Sequence, residues 1–432
     1  MEWIEVIILI ITFGILLARG VPISFCIGLA TIATMLLTIK PIPAITTIAQ
    51  RMATGLDSFA LLAIPFFILS GQLMNRGGIA RRLIDLAKIL VGSLPGGLAI
   101  VNIVASMLFG SISGSAVAAA SAIGGFMNPL MKKEGYDKNY SAAVNITSAT
   151  TGLLIPPSNI LIVYSLASGG VSIAALFLAG YIPGILMGLA IMMVAGYIAV
   201  VRKYPTAGRV SLTTAVWRFF DALPSLLLIV IVMGGIIAGY FTATEASAIA
   251  VLYTLILSVV FYREVKVSEL PKILLDSATT TAIVMLLIGT SMGMGWVLAY
   301  TNIPQNISEA LIGLTNNKIV ILIIINVILL SVGAFMDMTP AVLIFTPIFL
   351  PVAISLGISP IHFGIMMVMN LCIGLCTPPV GSVLFVGCGI ADTTIAKVIK
   401  PLMPMFIAMI VALMAVTYIP ELSLWLPKLF GF

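Results

Sequence analysis

Two short runs of the sequence hold residue types that can do ion chemistry. The first, Gly110-Ser111-Ile112-Ser113-Gly114-Ser115, offers three hydroxyls and accessible backbone; the second sets Asp337 between Gly333 and Thr339 in an otherwise apolar stretch. Hydroxyl, carbonyl and carboxylate oxygens are the ligands that a hard cation such as sodium takes. A Ser/Gly cluster in a membrane helix also serves close helix packing, so both readings of Ser111, Ser113 and Ser115 stand on sequence alone. A carboxylate at membrane depth is costly to bury and is expected to pair with a cation. Asp337 can at the same time cap a helix that starts behind it. Each run has a proline-broken counterpart: Thr151 to Asn159, with Gly152, Pro156 and Pro157, and Cys376-Thr377-Pro378-Pro379. Paired prolines remove two amide donors and end a regular helix. The carbonyls so released are tolerated in lipid only where protein, ions or water satisfy them.

The same breaks create half-helix ends, and N-termini ending near the membrane midplane favour an anion. No Lys or Arg stands in the apolar interior of either segment. Recognition of a carboxylate then falls to helix ends, to the hydroxyls of Ser158, Thr339 and Ser382 with Gly381 beside them, and to the amide of Asn159. Ordinary interhelical hydrogen bonding is the alternative for each of these polar residues. Glu245, in Thr242-Ala243-Thr244-Glu245, either caps the helix it begins or tethers mobile to static parts.

Other chemistry finds little support. His362 is the only histidine, which argues against histidine-based metal or acid-base work. Cys26, Cys372, Cys376 and Cys388 lie in apolar surroundings; Cys372 and Cys376 share a helix face but bring too few ligands for a metal site. A nucleotide-binding Gly-x-x-x-x-Gly-Lys-Ser/Thr loop is missing, so direct ATP coupling is not expected. An intramembrane hydrolase would need a nucleophile with a base, or a carboxylate pair. The expectation is no enzyme, no transition metal and no organic cofactor.

The elements that must position these residues are membrane spans. Of 432 residues, 61% are hydrophobic and 8% charged, against roughly 25% charged in a soluble domain. Apolar runs such as Val171 to Val201, Leu223 to Tyr240 and Pro401 to Tyr418 are long enough to cross a bilayer. The net charge of +6 comes from basic clusters between apolar runs. That arrangement reads as topology, not as a nucleic-acid surface. Placing Arg19, Arg76/Arg81/Arg82/Lys88, Lys132/Lys133/Lys138, Arg202/Lys203/Arg209, Arg263/Lys266/Lys272 and Lys397/Lys400 inside leaves the N-terminus outside, with Lys40 and Arg51 as exceptions. Residues 41 to 56 are expected along the outer interface. The acidic Met1-Glu2-Trp3-Ile4-Glu5 lacks the basic region of a cleaved signal.

An internal repeat organises the chain. A shift of roughly 222 residues carries Gly152-Leu153 onto Gly374-Leu375, Pro156-Pro157 onto Pro378-Pro379, Pro129 onto Pro351, Ser111 onto Gly333 and Ser115 onto Asp337. Residues 83 to 138 read as a re-entrant hairpin, because the second arm, Ala116 to Met131, is short and the break between the arms carries no charge; two full spans are the alternative. Residues 76 to 138 hold seven basic and three acidic side chains, whereas residues 300 to 362 hold Lys318 against Glu309 and Asp337. The repeats are therefore expected to be inverted about the membrane plane. The expected division is 1–56 (scaffold spans and interfacial helix), 57–170 (first repeat core, its hairpin open to the cytoplasm) and 171–276 (scaffold). It continues with 277–392 (second repeat core, hairpin 318–356 open to the periplasm) and 393–432 (a C-terminal span).

Six stretches together give a specific resemblance: Ile64-Pro65-Phe66-Phe67-Ile68-Leu69-Ser70-Gly71, Gly110 to Ala116, Leu154-Ile155-Pro156-Pro157-Ser158, Tyr240 to Ala246, Asp337 to Pro340, and Thr377-Pro378-Pro379-Val380-Gly381. Over essentially its whole length the chain resembles the large, DctM-type membrane subunit of the tripartite ATP-independent periplasmic (TRAP) transporters. The resemblance implies an all-α polytopic protein of the bacterial inner membrane, with a scaffold and a transport domain that slides as an elevator. It also implies a small four-helix membrane partner and a periplasmic solute-binding protein. The solutes it implies are carboxylates: four-carbon dicarboxylates, sialic acids, keto acids or sugar acids. Carried onto matching positions, the family's sodium sites would fall at Ser111/Ser113/Ser115 with Gly152 to Pro156, and at Gly333/Asp337 with Thr377 and Pro378. The very short segment before the first span predicts that the small subunit is a separate polypeptide. A stand-alone sodium/divalent-anion symporter of similar architecture is the alternative.

Overall fold

A computed structural model of the chain describes residues 2–206, 211–314, 317–378 and 381–432. Every regular element among them is helical. The first half runs α1 Glu2–Ala18, α2 Ile23–Met35, α3 Pro41–Leu56, α4 Ala63–Arg76, α5 Ile79–Val91, α6 Gly97–Ser113, α7 Ala116–Lys133, α8 Lys138–Ala149, α9 Asn159–Ala167 and α10 Ile173–Val201. The second runs α11 Leu212–Ile237, α12 Ala243–Ile256, α13 Leu270–Tyr300, α14 Ile303–Leu314, α15 Lys318–Phe335, α16 Met338–Ser355, α17 Pro360–Gly374, α18 Ser382–Ile390, α19 Ile395–Tyr418 and α20 Glu421–Leu429. Eight of the described helices are long and apolar enough to cross a membrane.

The duplication extends to element boundaries. Helices α7 and α16 are 18 residues each and start at Ala116 and Met338, the displacement of about 222 read from the sequence. Helices α4 to α10 find counterparts in order from the second half of α13 to α19. Two sequence expectations need adjustment. The first hairpin is α6 and α7 alone, because residues 83 to 91 belong to α5. That amphipathic helix buries Ile79, Leu83 and Leu86 and ends before Gly96, whose φ of +88° turns the chain into α6. The second arm is also longer than expected, so its length does not separate a hairpin from two spans. Arg209 of the proposed inner cluster, and Pro379 and Val380 of the second break, lie outside the described residues.

Contacts along α19 separate those alternatives. This helix has 24 residues, about 36 Å at 1.5 Å per residue. Just before its start, Asp392 Oδ2 meets Lys138 Nζ at 3.1 Å and Thr393 Oγ1 donates to Asn139 Oδ1 at 2.6 Å, next to the base of the first hairpin. At its end, Tyr418 OH donates to Ile319 O at 3.1 Å, at the base of the second hairpin. The bases therefore lie a membrane's width apart while the tips, as described below, share one cavity. The repeats are inverted and neither hairpin crosses fully.

Within each repeat the first hairpin arm is fixed to the broken helix in two ways. Glycines meet at the crossing: a methyl on Gly110 would come within 2.7 Å of Gly152 Cα, and one on Gly374 within 2.5 Å of Gly333 Cα. Buried polar side chains add a second tie. Ser148 Oγ donates to Ser106 Oγ at 3.1 Å in the first repeat, and Asn370 Nδ2 to Asn326 Oδ1 at 2.7 Å in the second. Around this core α3 packs on α13, α4 on α12, and α5 on α11. Glu245 resolves as a cap: Thr242 N donates to Glu245 Oε2 at 2.8 Å and Glu245 N to Thr242 Oγ1 at 3.2 Å. Its neighbour Thr244 ties α12 to the segment ahead of α4, Thr244 Oγ1 donating to Phe59 O at 2.9 Å.

Candidate functional site

The hairpin tips face one cavity. Gly114 to Val117 from the first and Asp337 to Thr339 from the second line one cavity of about 210 Å³, with Leu153 and Asn159 of the first break and Leu375 and Ser382 of the second. The remaining wall comes from Ile160 and Val163 on α9, from Ile64 and Ile68 on α4 and from Thr280 and Val284 on α13. Four helices, α7, α9, α16 and α18, present first-turn residues to this one space: Ala116, Asn159, Met338 and Ser382. A helix N-terminus carries roughly half a positive charge on unsatisfied amides. The lining of this cavity contains no Lys or Arg.

Local sequence explains the tips. Gly114 adopts φ +61°, and a methyl there would sit 2.9 Å from Asn159 Nδ2, so the turn needs glycine on both counts. Ser115 follows as the N-cap of α7, its hydroxyl accepting from Ala118 N at 3.2 Å. Asp337 holds the same place before α16 yet makes no side-chain capping bond. No Lys or Arg pairs with it among the described residues, and its side chain is exposed toward the cavity. Ser382 Oγ is buried and has no hydrogen-bond partner among the described residues.

Of the residues singled out in the sequence, Ser115, Asn159, Asp337, Thr339 and Ser382 line the cavity. The others stand behind it. Ser111 Oγ donates to Leu108 O at 2.9 Å and Ser113 Oγ to Ser115 O at 3.5 Å, which leaves hydroxyl lone pairs free to accept or ligate. Gly152 and Gly333 are the crossing glycines, and Pro156 is buried in the break, its bond to Pro157 cis. Ser158 Oγ donates to Leu153 O at 2.5 Å, closing that break on itself. In the second break Thr377 Oγ1 donates to Ile373 O at 2.9 Å, its carbonyl accepts from Gly381 N at 3.1 Å, and Pro378 is half-buried. The oxygen-rich set of hydroxyls, carbonyls and one uncapped carboxylate fits a sodium ion.

Sequence reasoning did not find the α4 and α13 wall. Its signal was weak: Ile64 and Ile68 are one helical turn apart in an apolar helix, and Thr280 follows Thr279 in a longer span. His362 turns out to be a packing group, its Nδ1 paired with Ser423 Oγ at 2.5 Å and its Nε2 facing Thr417 O at 3.3 Å.

Residues 10–422 match the family described as "Tripartite ATP-independent periplasmic transporter, DctM component". The chain is 59% identical over 426 residues to YgiK of Salmonella typhimurium, covering 99% of this chain and 98% of that one. It is 38% identical over 445 residues to the C4-dicarboxylate TRAP transporter large permease protein DctM of Rhodobacter capsulatus, with coverage of 98% and 99%. Among solved structures, the YdaH transporter of Alcanivorax borkumensis superposes with a TM-score of 0.64 at 14% identity, over 92% of this chain and 90% of that one, which is a likeness of fold. The chain is a multi-pass membrane protein and belongs to the DctM component family of the tripartite ATP-independent periplasmic transporters, a family of transporter permeases and not of enzymes.

Proposed function

We propose that the chain is the sodium-coupled permease subunit that moves a small carboxylate inward across the bacterial inner membrane, with its N-terminus in the periplasm. The convergence of four helix N-termini and an uncapped Asp337 on one cavity supports this reading. Positive helix ends favour the anion, and the carboxylate, hydroxyls and released carbonyls favour the cation. Sodium binds first, at Ser111/Ser113/Ser115 with Gly152 to Pro156 and at Gly333/Asp337 with Thr377 and Pro378. It ties each tip to its broken helix and so completes an anion site lined by Asn159, Thr339 and Ser382, with Ser158 and Gly381 behind them. The hairpin-bearing core then slides against a scaffold that includes α4 and α13, as an elevator.

Relatives named for sialic acid in Vibrio cholerae and for 2,3-diketo-L-gulonate in Escherichia coli, 37% and 36% identical, support a carboxylate. A periplasmic binding protein delivers it and a separate four-helix subunit braces the scaffold. A second substrate class has its own support: a relative 40% identical, from Oleidesulfovibrio alaskensis, is named for isethionate, a sulfonate that the same helix ends would hold. That relative's name, DctMQ, joins two component letters, and this chain covers 65% of it. Purification of this chain with its membrane partner therefore bears directly on the two-polypeptide reading.

Uptake by the assembled transporter in liposomes tests the coupling. An inward sodium gradient should drive accumulation, and Asp337→Asn should reduce sodium-driven uptake by about ten- to a hundredfold, the loss of one charge-assisted contact. Uptake in Asp337→Asn that keeps the wild-type dependence on sodium would remove Asp337 from the coupling. Full-rate uptake by this chain without a binding protein would replace the tripartite reading with a stand-alone symporter.

A further inference from the structure

Away from the central cavity, α5, α7 and α11 enclose a cleft of about 340 Å³ whose lining includes Arg81, Asp85 and Lys88 on α5, Phe126 and Leu130 on α7, and Arg218 on α11. Asp85 is its only acid. It pairs with Arg218 Nη1 at 3.2 Å and lies 3.8 Å from Lys88 Nζ, so one carboxylate faces three cations. Arg81 is exposed and forms no ion pair among the described residues. The basic residues nearby are matched by contrast: Arg76 holds Asp276 at 2.6 Å and Arg82 holds Asp221 at 3.3 Å. The cleft itself carries a surplus of positive charge, and Lys132 and Lys133 follow Leu130 in the last turn of α7.

Its depth is set by the aromatic residues. Trp217 and Phe220 flank Arg218 on α11 and are 68% and 61% exposed, and Phe126 on α7 is 52% exposed. Exposed aromatics interleaved with basic residues at the end of an apolar span mark the headgroup level of a bilayer. The span itself runs on from Thr213 to Ile237. A cleft with two uncompensated cations and an apolar wall, at this level, is complementary to a phosphodiester with hydrocarbon attached. We propose that it binds the headgroup of an anionic phospholipid, whose chains lie against Phe126 and Leu130 and bridge the first hairpin to α11.

The test uses the full chain, delipidated in neutral detergent and titrated with phosphatidylglycerol, phosphatidylcholine or inorganic phosphate while the thermal unfolding midpoint is read. Phosphatidylglycerol should raise the midpoint by several degrees; the other two should not. A double variant, Arg81→Gln with Lys88→Gln, keeps the Asp85–Arg218 pair. It should bind phosphatidylglycerol about 30-fold more weakly, roughly fivefold per cation, with an unchanged midpoint in phosphatidylcholine. Should the double variant not fold, Arg81→Gln alone breaks no described ion pair and should weaken binding about fivefold. Equal stabilisation by phosphatidylcholine, a response to inorganic phosphate alone, or an unaltered double variant would overturn the proposal. So would loss of the phosphatidylglycerol effect when the membrane partner is bound, because the face would then be a protein interface.

Discussion

Ser115 and Asp337 occupy equivalent places in the two repeats, each immediately before the second arm of its hairpin. The serine spends its oxygen on the helix behind it, accepting from Ala118 N at 3.2 Å, whereas the aspartate makes no such bond. Asp337→Asn should therefore leave the unfolding midpoint close to that of the wild type while it changes sodium dependence. Glu245 provides the contrast. Its carboxylate completes a reciprocal cap with Thr242, so Glu245→Ala should lower the unfolding midpoint slightly and leave the sodium dependence of uptake intact, as thermal unfolding and flux assays would register. Both acids were conspicuous in the sequence because they interrupt apolar stretches. Which of them caps a helix was not legible there, since the distinction is a rotamer and a hydrogen bond, and neither follows from spacing.

The helical elements were legible because apolar length and proline position constrain them strongly. The boundaries 318–356 of the second hairpin match α15 and α16 closely. The start of the first hairpin was misread because α5 is apolar on one face and basic on the other, and its composition runs smoothly into α6. The crossing of arm and broken helix was half legible: Gly110, Gly152, Gly333 and Gly374 all stand in the motifs, but that Gly110 meets Gly152 and Gly333 meets Gly374 is identified only by contact. Gly374→Ala would press a methyl to 2.5 Å from Gly333 Cα, backbone that cannot rotate away. Overpacking of this kind costs about 1–3 kcal/mol, so a lowered unfolding midpoint is expected together with loss of uptake. Asn370→Leu removes the buried bond to Asn326. A drop of about 1 kcal/mol is expected, because membrane side-chain hydrogen bonds are modest individually; no drop would mean that the arm and the broken helix are held by the glycine crossing alone.

At the scale of the molecule, duplication and inversion place two polar turns in one cavity from opposite sides. Charge asymmetry between the hairpin bases carried the inversion in sequence, and the contacts at the two ends of α19 carry it in the structure. The α4 and α13 wall was hidden from sequence because lining a cavity depends on how the core seats against those helices, and an isoleucine gives no sign of that. The most direct test is a cross-link across the cavity. Ser115→Cys and Thr339→Cys are introduced together, with the four native cysteines kept because all are buried, and the protein is treated in membranes with a short bifunctional thiol reagent. The two tips are predicted to join within one chain, and sodium together with the transported anion should slow the reaction by filling the space between them. Absence of the cross-link, with each single cysteine still reactive toward a monofunctional reagent, would contradict a shared cavity and with it the coupling of cation to anion.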